Sequence, residues 1–178
     1  MTNSYFFNSD KLGFRKFNDS DLDPFFEINS DPEVMRYFPS VLNIEQTKSL
    51  MKKINNHIDE HGYGFFAVDL LPENSFIGFI GFKNTSFEAD FTPCVEIGWR
   101  LHKKYWNLGL ATEGALRCLK FARTDLSLNE IYSFTPLLNK ASERVMQKIG
   151  MNKIGEFDHP LVQNKHKLKL HSLYKTSE

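Results

Sequence analysis

The chain has 178 residues, of which 41% are hydrophobic and 25% are charged, and this composition is typical of an ordinary globular domain. Its 22 basic and 22 acidic residues balance, so no overall field would hold it on nucleic acid or on an anionic membrane, and we expect neither as a partner. The length predicts a single domain over residues 1–178.

The N-terminal segment and the cysteines predict a cytoplasmic protein. No apolar run approaches the ~20 residues of a membrane-spanning helix, and MTNSYFFNSDK lacks the basic and then apolar stretches of a secretory signal. Cys94 and Cys118 lie within apolar patterns without metal-site spacing, which predicts buried, reduced thiols. The sequence leaves a monomer and a homodimer both open.

The first predicted elements are a strand and two helices. Residues 11–17 alternate polar and apolar as a strand does, and the capping residues at 18–21 precede an apolar run that favours a helix. An apolar stripe over residues 43–60 predicts a long helix, with Gly62 at the position of its C-cap.

Three strands and a third helix follow. Residues 64–71 and 75–84 predict a β-hairpin, and residues 93–101 predict a strongly apolar strand interrupted by one acid, Glu96. The apolar spacing from residue 109 to about 123 then predicts a helix that begins shortly after this strand.

The last third of the chain again alternates between strand and helix. Strand patterns cover residues 129–136, 153–158 and 166–175, and a helix pattern over 139–150 ends at a glycine. These elements together predict an α+β fold with a largely antiparallel sheet.

The decapeptide YWNLGLATEG, residues 105–114, places Gly109 where a helix begins. The first amides of a helix lack intrahelical partners and carry a partial positive charge, so the amides of residues 108–112 predict a pyrophosphate site. Gly109 would let the phosphate oxygens approach without meeting a Cβ atom. Alternatively, Gly109 only permits a tight strand-to-helix turn, and the decapeptide alone leaves both interpretations open.

The segment VEIGWRLHKKYWNLGLATEGALRCLKFA resembles the core of the GNAT superfamily of acyl-CoA N-acyltransferases, in the subfamily similar to enzymes that acetylate ribosomal-protein N-termini. The family's pyrophosphate loop is Arg/Gln-x-x-Gly-x-Gly/Ala, and Trp106, Gly109 and Ala111 occupy its fixed positions here. Trp106 departs from the usual Arg or Gln, although the pattern YW followed by GLATE is common in the subfamily. The stretches SDPEVMRYFP, FIGFIGF, NKASERVMQKIGM and FDHP…HKLKLHSLYK extend the resemblance to most of the chain.

The resemblance implies a seven-stranded, mostly antiparallel sheet, flanked by about four helices, whose fourth and fifth strands splay apart. It implies acetyl-CoA as cosubstrate and no metal, with the pantetheine arm paired to the strand edge at Trp99, Arg100 and Leu101. Asn139 corresponds to a side-chain contact of that arm and is equally suited to a helix N-cap; both roles can hold. The loop residues assigned to the cofactor are Trp106, Asn107, Leu108, Gly109, Leu110, Ala111 and Thr112.

Glu96 is the candidate general base, since it matches the position of the glutamate base in histone-modifying members of the family. Burial between Val95 and Ile97 would raise the pKa of its carboxyl toward a useful range, and it would act directly or through a water. The alternative is that Glu96 faces solvent or pairs with a lysine of a neighbouring strand.

The position of the usual general acid departs from the family pattern. Many members carry a tyrosine seven residues after the Asn139 position, where this chain has Met146. Ser142 fits the serine whose hydroxyl serves the leaving sulfur in the N-terminal-acetylating subfamily, and its alternative is an ordinary exposed helix serine. A backbone amide between Trp99 and Leu101 is the expected oxyanion donor.

Tyr37 and Phe38 are candidates for shaping the acceptor pocket, because the loop between the first two helices lies over the active site in the family. His57 and His61 are four residues apart but lack an evident third ligand, so we expect no metal site there. The remaining histidines near the end of the chain, His159, His166 and His171, are expected to fill polar space beside the acceptor groove.

The resulting hypothesis is an acetyl-CoA-dependent N-acetyltransferase that transfers acetyl to a primary amine by direct attack in a ternary complex. The acceptor would be a peptide N-terminus or a small-molecule amine. The alternative is a non-catalytic acyl-CoA-binding regulatory module, favoured by Met146 in place of the tyrosine.

Overall fold

The computed structural model describes residues 5–177, which form one eight-stranded sheet with helices on both faces. The strands are β1 (Phe7–Asn8), β2 (Leu12–Arg15), β3 (Phe65–Leu70), β4 (Ser75–Thr85), β5 (Cys94–Leu101), β6 (Tyr132–Pro136), β7 (Met151–Asp158) and β8 (Leu170–Thr176). The α-helices are α1 (Leu22–Ser30), α2 (Ile44–His61), α3 (Leu110–Thr124) and α4 (Lys140–Lys148). The α+β class and the four helices are confirmed.

The strand order is β1-β2-β3-β4-β5-β6-β8-β7, and every neighbouring pair is antiparallel except β5 and β6. The expected count of seven strands is therefore wrong by one. The additional strand is β1, whose Phe7 pairs with Phe14 of β2 and is buried in the core. The single parallel pair follows from the crossover through α3, since parallel neighbours need a connection that returns across the sheet.

The ends of α2 confirm the local sequence signals. Asn43 accepts a hydrogen bond from the backbone amide of Gln46, whose side chain bonds back to the amide of Asn43. Gly62 ends the helix in the left-handed conformation, with φ of 75°. These contacts satisfy backbone groups that the helix leaves without partners.

The last strand begins later than its alternating pattern predicts. Residues 166–169 form turns instead of a strand, because side chains bind the backbone there. His166 Nδ1 accepts from the amide of Leu168, and Lys169 Nζ donates to the carbonyls of His159 and Val162. Such local bonds compete with the sheet ladder for the same backbone.

The two faces of the sheet carry different helices. Helix α3 packs on the face that presents Ile80 and Leu12, so closely that a Cβ on Gly114 would lie 2.4 Å from Ile80 Cδ1. Helix α1 packs on the opposite face, where the rings of Phe25 and Phe79 lie 6.0 Å apart. No helix within residues 5–177 combines the length and apolarity needed to cross a membrane.

Candidate active site

A gap opens between β5 and β6. The two strands register through one residue pair, Glu96 with Tyr132, and no further pairing between them occurs in the described chain. The hydroxyl of Ser133 donates to the carbonyl of Ile97 at 2.9 Å and closes the gap at that level. Beyond Ile97 the edge of β5 has no partner strand in the described chain. The resemblance predicts such a gap between the fourth and fifth of seven strands, which are β5 and β6 here because β1 adds one strand.

Trp99 presents its peptide groups to this gap. Backbone groups of successive strand residues point to alternate edges, so Ile97, Trp99 and Leu101 face β6 while Gly98 and Arg100 face β4. The carbonyl of Ile97 is bound by Ser133, and the carbonyl of Leu101 accepts a 2.9 Å bond from the Trp106 indole. The predicted cofactor-pairing edge therefore centres on Trp99.

The turn from β5 into α3 explains the need for Gly109. Asn107 and Gly109 both have left-handed backbone, with φ of 61° and 79°, and Gly109 is the N-cap of α3. The left-handed conformation is itself sufficient to favour glycine, which agrees with the interpretation that Gly109 permits a tight turn. A Cβ at Gly109 would have no protein atom within 4 Å, so the same residue also leaves open space at the helix end. Both interpretations of Gly109 are compatible with this geometry.

The N-terminus of α3 lacks a side-chain cap. Asn43 and Asn139 cap α2 and α4 through their side-chain oxygens, whereas no side chain of the described residues caps the first turn of α3 or of α1. The first amides of α3, which include those of Leu110, Ala111 and Thr112, therefore keep donors for an anionic ligand. Leu108 is 58% exposed beside them. These groups fit a diphosphate, although phosphate binding itself remains a prediction.

Trp106 ties the turn to the strand. Its indole Nε1 donates to the carbonyl of Leu101, at the last position of β5. An arginine or glutamine here could donate as well, so the tryptophan keeps the hydrogen bond while packing against the hydrophobic core. Trp106 therefore contributes one hydrogen bond and core packing at the first fixed position of the loop.

Asn139 and Ser142 lie at the start of α4, beyond the carboxyl end of β6. Asn139 Oδ1 accepts from the amide of Ser142 at 3.3 Å, which confirms the N-cap, and Asn139 Nδ2 donates to Thr135 Oγ1 and Ser142 Oγ. The Ser142 hydroxyl oxygen is thus an acceptor here, which leaves its proton free for donation elsewhere. Met146 is only 1% exposed and packs in the core.

Glu96 projects from β5 to the face opposite α3. Its Oε2 accepts a 2.9 Å bond from the Thr85 hydroxyl, and it stands opposite Lys83 of β4. Burial raises the pKa of the Glu96 carboxyl above its ordinary value, and the Lys83 charge and the Thr85 bond oppose that rise. Glu96 is half-buried, so it does not simply face solvent. Lys83 lies opposite it, but Glu96 also accepts the hydrogen bond from Thr85.

Gly98 separates Glu96 from Arg100 on the same face of β5. A Cβ at Gly98 would lie 3.3 Å from the ring of Phe65 and 3.9 Å from Glu96 Oε1. Its missing side chain therefore keeps room beside the carboxylate, at the level of the gap. The face is suited to an acceptor that approaches β5 opposite α3.

The Arg100 side chain also lies on this face, and sequence reasoning assigned it only a backbone role. Its Nη1 donates to Asn29 Oδ1 at 2.6 Å, and Asn29 Nδ2 donates to the Thr47 hydroxyl at 3.4 Å. The guanidinium carbon lies 4.1 Å from the centre of the Phe38 ring and 5.2 Å from that of Phe79. No sequence signal distinguishes Asn29 from an ordinary residue at a helix end.

Of the two predicted pocket aromatics, Phe38 contacts the Arg100 side chain. Phe38 lies in the loop between α1 and α2 and is 39% exposed over Arg100. Tyr37 turns instead toward Arg36, whose guanidinium lies 4.8 Å from the Tyr37 ring and 5.7 Å from the Trp106 ring. The Arg36 guanidinium thus lies within reach of both the Tyr37 ring and the Trp106 ring.

An aromatic cluster lies around Tyr132 of β6, the strand across the gap from β5. Tyr132, which pairs with Glu96, contacts Phe91 at 5.7 Å between ring centres, so the loop between β4 and β5 covers this face of β6. The cluster continues through half-buried and buried rings: Phe87, Phe134, Phe157, His159 and His171. Burial and the neighbouring His171 lower the pKa of His159 to about 4, and burial lowers the pKa of His171. With a pKa of about 4, His159 is neutral at pH 7. His166 is exposed.

The other residues considered for chemistry are His57, His61 and the two cysteines. The rings of His57 and His61 lie 4.4 Å apart, and residues 5–177 contain no group of three side chains suited to hold a metal ion. Cys118 is buried as expected, but Cys94 is only half-buried. Burial raises the pKa of the Cys94 thiol to about 11, because desolvation disfavours the thiolate.

Comparison with known proteins places this geometry in a family. A model of the acetyltransferase (GNAT) domain matches residues 11–152. The chain is 33% identical over 148 residues to an uncharacterized N-acetyltransferase of Bacillus subtilis, YnaD, with 83% of this chain and 82% of the relative covered.

Solved structures share the fold over nearly the whole chain. An acetyltransferase of the GNAT family from Bacillus anthracis is 30% identical, with a TM-score of 0.78 and coverage of 94% of this chain and 95% of that one. A ribosomal-protein alanine acetyltransferase from Vibrio fischeri is 17% identical, with a TM-score of 0.75 and coverage of 96% and 94%. With the open edge of β5, the uncapped α3 and these matches, the chain belongs to the GNAT family of acetyltransferases.

Proposed function

We propose that this enzyme transfers acetyl from acetyl-CoA to a primary amine by direct attack in a ternary complex. The observation that carries the proposal is the unpaired edge of β5 at Trp99, which leads through a short turn to the uncapped N-terminus of α3. Acetyl-CoA is a linear thioester with a diphosphate near one end. Its arm could pair with the open strand edge while its diphosphate binds the free amides of α3.

The cofactor would be held mainly by backbone. The amides of Leu108 to Thr112 would bind the diphosphate, and the peptide groups of Trp99 would pair with the pantetheine arm. Asn139 would contact the arm through the second lone pair of its carbonyl oxygen, since its amide hydrogens already bond Thr135 and Ser142. Acetyl-CoA supplies the activated acetyl group, and the chain orients it.

The amide of Trp99 is our candidate for the oxyanion donor. It faces the gap in the middle of β5, between two positions whose carbonyls are already bound by Ser133 and Trp106. A fixed backbone amide needs no reorganisation when charge develops on the acetyl oxygen, which makes it an efficient stabiliser.

Glu96 would accept the proton from the attacking amine, directly or through a water. Its raised pKa brings the carboxylate closer to the range in which a general base works at neutral pH. The Thr85 hydroxyl occupies Oε2, so Oε1, the oxygen near Gly98, is the one directed to the acceptor.

Ser142 would donate a hydrogen bond to the leaving thiolate and stabilise its charge, and solvent would supply the proton that the thiolate finally takes up. The Asn139 amide donates to its oxygen and thereby directs the serine hydrogen away from Asn139. The side chain of Met146 is in the core, and no tyrosine is required at that position for this arrangement.

A peptide N-terminal amine is the acceptor that needs the least activation. An α-amino group has a pKa of about 8, against about 10.4 for lysine, so more of it is neutral at pH 7. The likeness to the Vibrio fischeri ribosomal-protein enzyme supports the fold, and its acceptor comes to this chain only as part of the proposal. A small-molecule primary amine is the second acceptor class to test.

The test is release of free thiol from acetyl-CoA in the presence of a panel of peptides and small amines. Amine-dependent thiol release, with acetylated product identified by mass, is expected for at least one class. Tight acetyl-CoA binding without thiol release on any amine would instead identify a non-catalytic acyl-CoA-binding module.

A further inference from the structure

Arg15, which is buried, and Arg100, which is half-buried with a buried Nε atom, differ in their hydrogen-bond partners. Arg15 is 6% exposed, and its Nε and Nη2 donate to the two carboxylate oxygens of Asp69 at 2.7 Å each. Its Nη1 donates to Asp21 Oδ2. This is the side-on bidentate geometry that guanidinium groups favour with carboxylates. The fold thus pairs a structural buried arginine completely.

Arg100 has no such carboxylate. Its Nη1 binds the neutral Asn29, its Nε is buried without a hydrogen-bond partner, and it forms no salt bridge among residues 5–177. Burial without an acidic neighbour lowers the pKa of Arg100 to about 10, so the group is still a cation at pH 7. A buried unpaired donor costs free energy unless a ligand satisfies it.

The location of Arg100 connects this unpaired edge to the reaction. Arg100 follows Trp99, and its side chain shares a face of β5 with Gly98 and Glu96. Asn29, itself fully buried and bonded to Thr47, fixes one edge of the guanidinium. The ring of Phe38 covers it from the loop between α1 and α2. The guanidinium is therefore held in place on the face of β5 that carries Glu96.

We infer that Arg100 binds a carboxylate of the acceptor through its Nε and Nη2 edge, so that the enzyme acetylates primary amines that carry a carboxylate within a few bonds. This inference rests on the proposed function and names its substrate class. The carboxylate is either the α-carboxylate of a free amino acid or the side chain of an acidic first residue of a peptide.

The same charge works against polyamine acceptors. A second ammonium group of spermidine would meet the Arg100 guanidinium without an intervening acid, and like charges in a partly desolvated site repel strongly. A nearby cation also lowers the pKa of the acceptor amine, which increases the neutral fraction that attacks.

The decisive experiment measures binding of product analogues to the enzyme–CoA complex by calorimetric titration. N-acetyl-L-alanine tests a free α-carboxylate, and N-acetyl-L-alaninamide is its uncharged match. An N-acetyl-glutamyl peptide amide tests a side-chain carboxylate, and the glutaminyl peptide is its match. We expect one carboxylate to bind about 10- to 100-fold more tightly than its matched amide, which is the range of one charge-assisted pair. The arm that shows the preference identifies the source.

Arg100→Gln should abolish this preference, and Arg100→Lys should keep part of it. Arg123→Gln is the matched control, because Arg123 lies in the last turn of α3 on the opposite face of the sheet. Equal binding of both carboxylates and their amides to the unaltered enzyme, or an undiminished preference in Arg100→Gln, would overturn the inference. Neither result depends on turnover, so thiol release on an amine panel still tests the proposed function separately.

Discussion

The Thr85 hydroxyl donates a hydrogen bond to Glu96 Oε2 at 2.9 Å, across the β4–β5 pair. This bond stabilises the charged form of the candidate base, while burial favours its neutral form. The acidity of Glu96 therefore depends on a neighbour that can be altered without touching the carboxylate.

Thr85→Val should move the acid limb of the kcat/KM profile to higher pH. The bond to Thr85 lowers the pKa of Glu96, so its removal raises that pKa, and a higher pH is then needed to form the base. Steady-state rates between pH 5 and 9 with a fixed acceptor measure the shift. If the acid limb of the kcat/KM profile does not move, Glu96 is not the group whose ionisation controls the rate.

Glu96→Gln should lower kcat by about 10²- to 10⁴-fold, the range of a lost general base. The same change should raise Tm at neutral and alkaline pH. A carboxyl whose folded pKa lies above its unfolded value contributes stability that is fully present below the unfolded pKa and is lost as pH rises through the folded pKa. Glutamine removes that loss, so the gain in Tm should fade toward pH 4; a gain that persists there would contradict the assignment of the raised pKa.

Gly109→Ala and Gly109→Asn separate the turn from the phosphate site. Alanine in the left-handed conformation should cost about 1–2 kcal/mol of stability, whereas asparagine tolerates that conformation. If phosphate approaches Gly109 closely, Gly109→Asn should bind acetyl-CoA at least tenfold more weakly with a nearly unchanged Tm. Thermal melting and calorimetric titration measure the two effects, and full affinity in Gly109→Asn would leave the turn as the sole reason for this glycine.

Ser142→Ala should lower kcat by about 10²-fold while leaving acetyl-CoA affinity within a factor of a few. The serine side chain accepts one bond, from Asn139, so its loss should change Tm little. Asn139→Ala is the contrasting variant, because removal of the N-cap should cost about 1 kcal/mol of stability. Full activity of Ser142→Ala would exclude this serine as the group that stabilises the leaving thiolate.

Local signals predicted most of the fold. Asn43 and Gly62 mark the ends of α2 because the residues that satisfy the helix termini are adjacent in sequence. The turn at residues 166–169 escaped prediction, since the bonds of Lys169 to distant carbonyls override an alternating pattern. The short β1 escaped as well, because its pairing with β2 depends on aromatic packing against Phe14.

Some residues of the site also carry local sequence signals, whereas others come together only in the folded chain. The turn at Gly109 and the cap at Asn139 carry local sequence patterns, and a resemblance supplied the roles of Glu96 and Ser142 as hypotheses. The bond between Arg100 and Asn29 joins residues 71 positions apart, and that between Ser133 and Ile97 joins residues 36 apart. Periodicity carries no information on such pairs, so only the folded chain brings them together.

The most direct test of the central claim is a crystal structure with coenzyme A bound. The account predicts diphosphate oxygens within hydrogen-bonding distance of the amides of Leu110, Ala111 and Thr112, and a pantetheine arm paired with Trp99. A diphosphate bound away from the start of α3, or strands β5 and β6 paired along their full length, would contradict it.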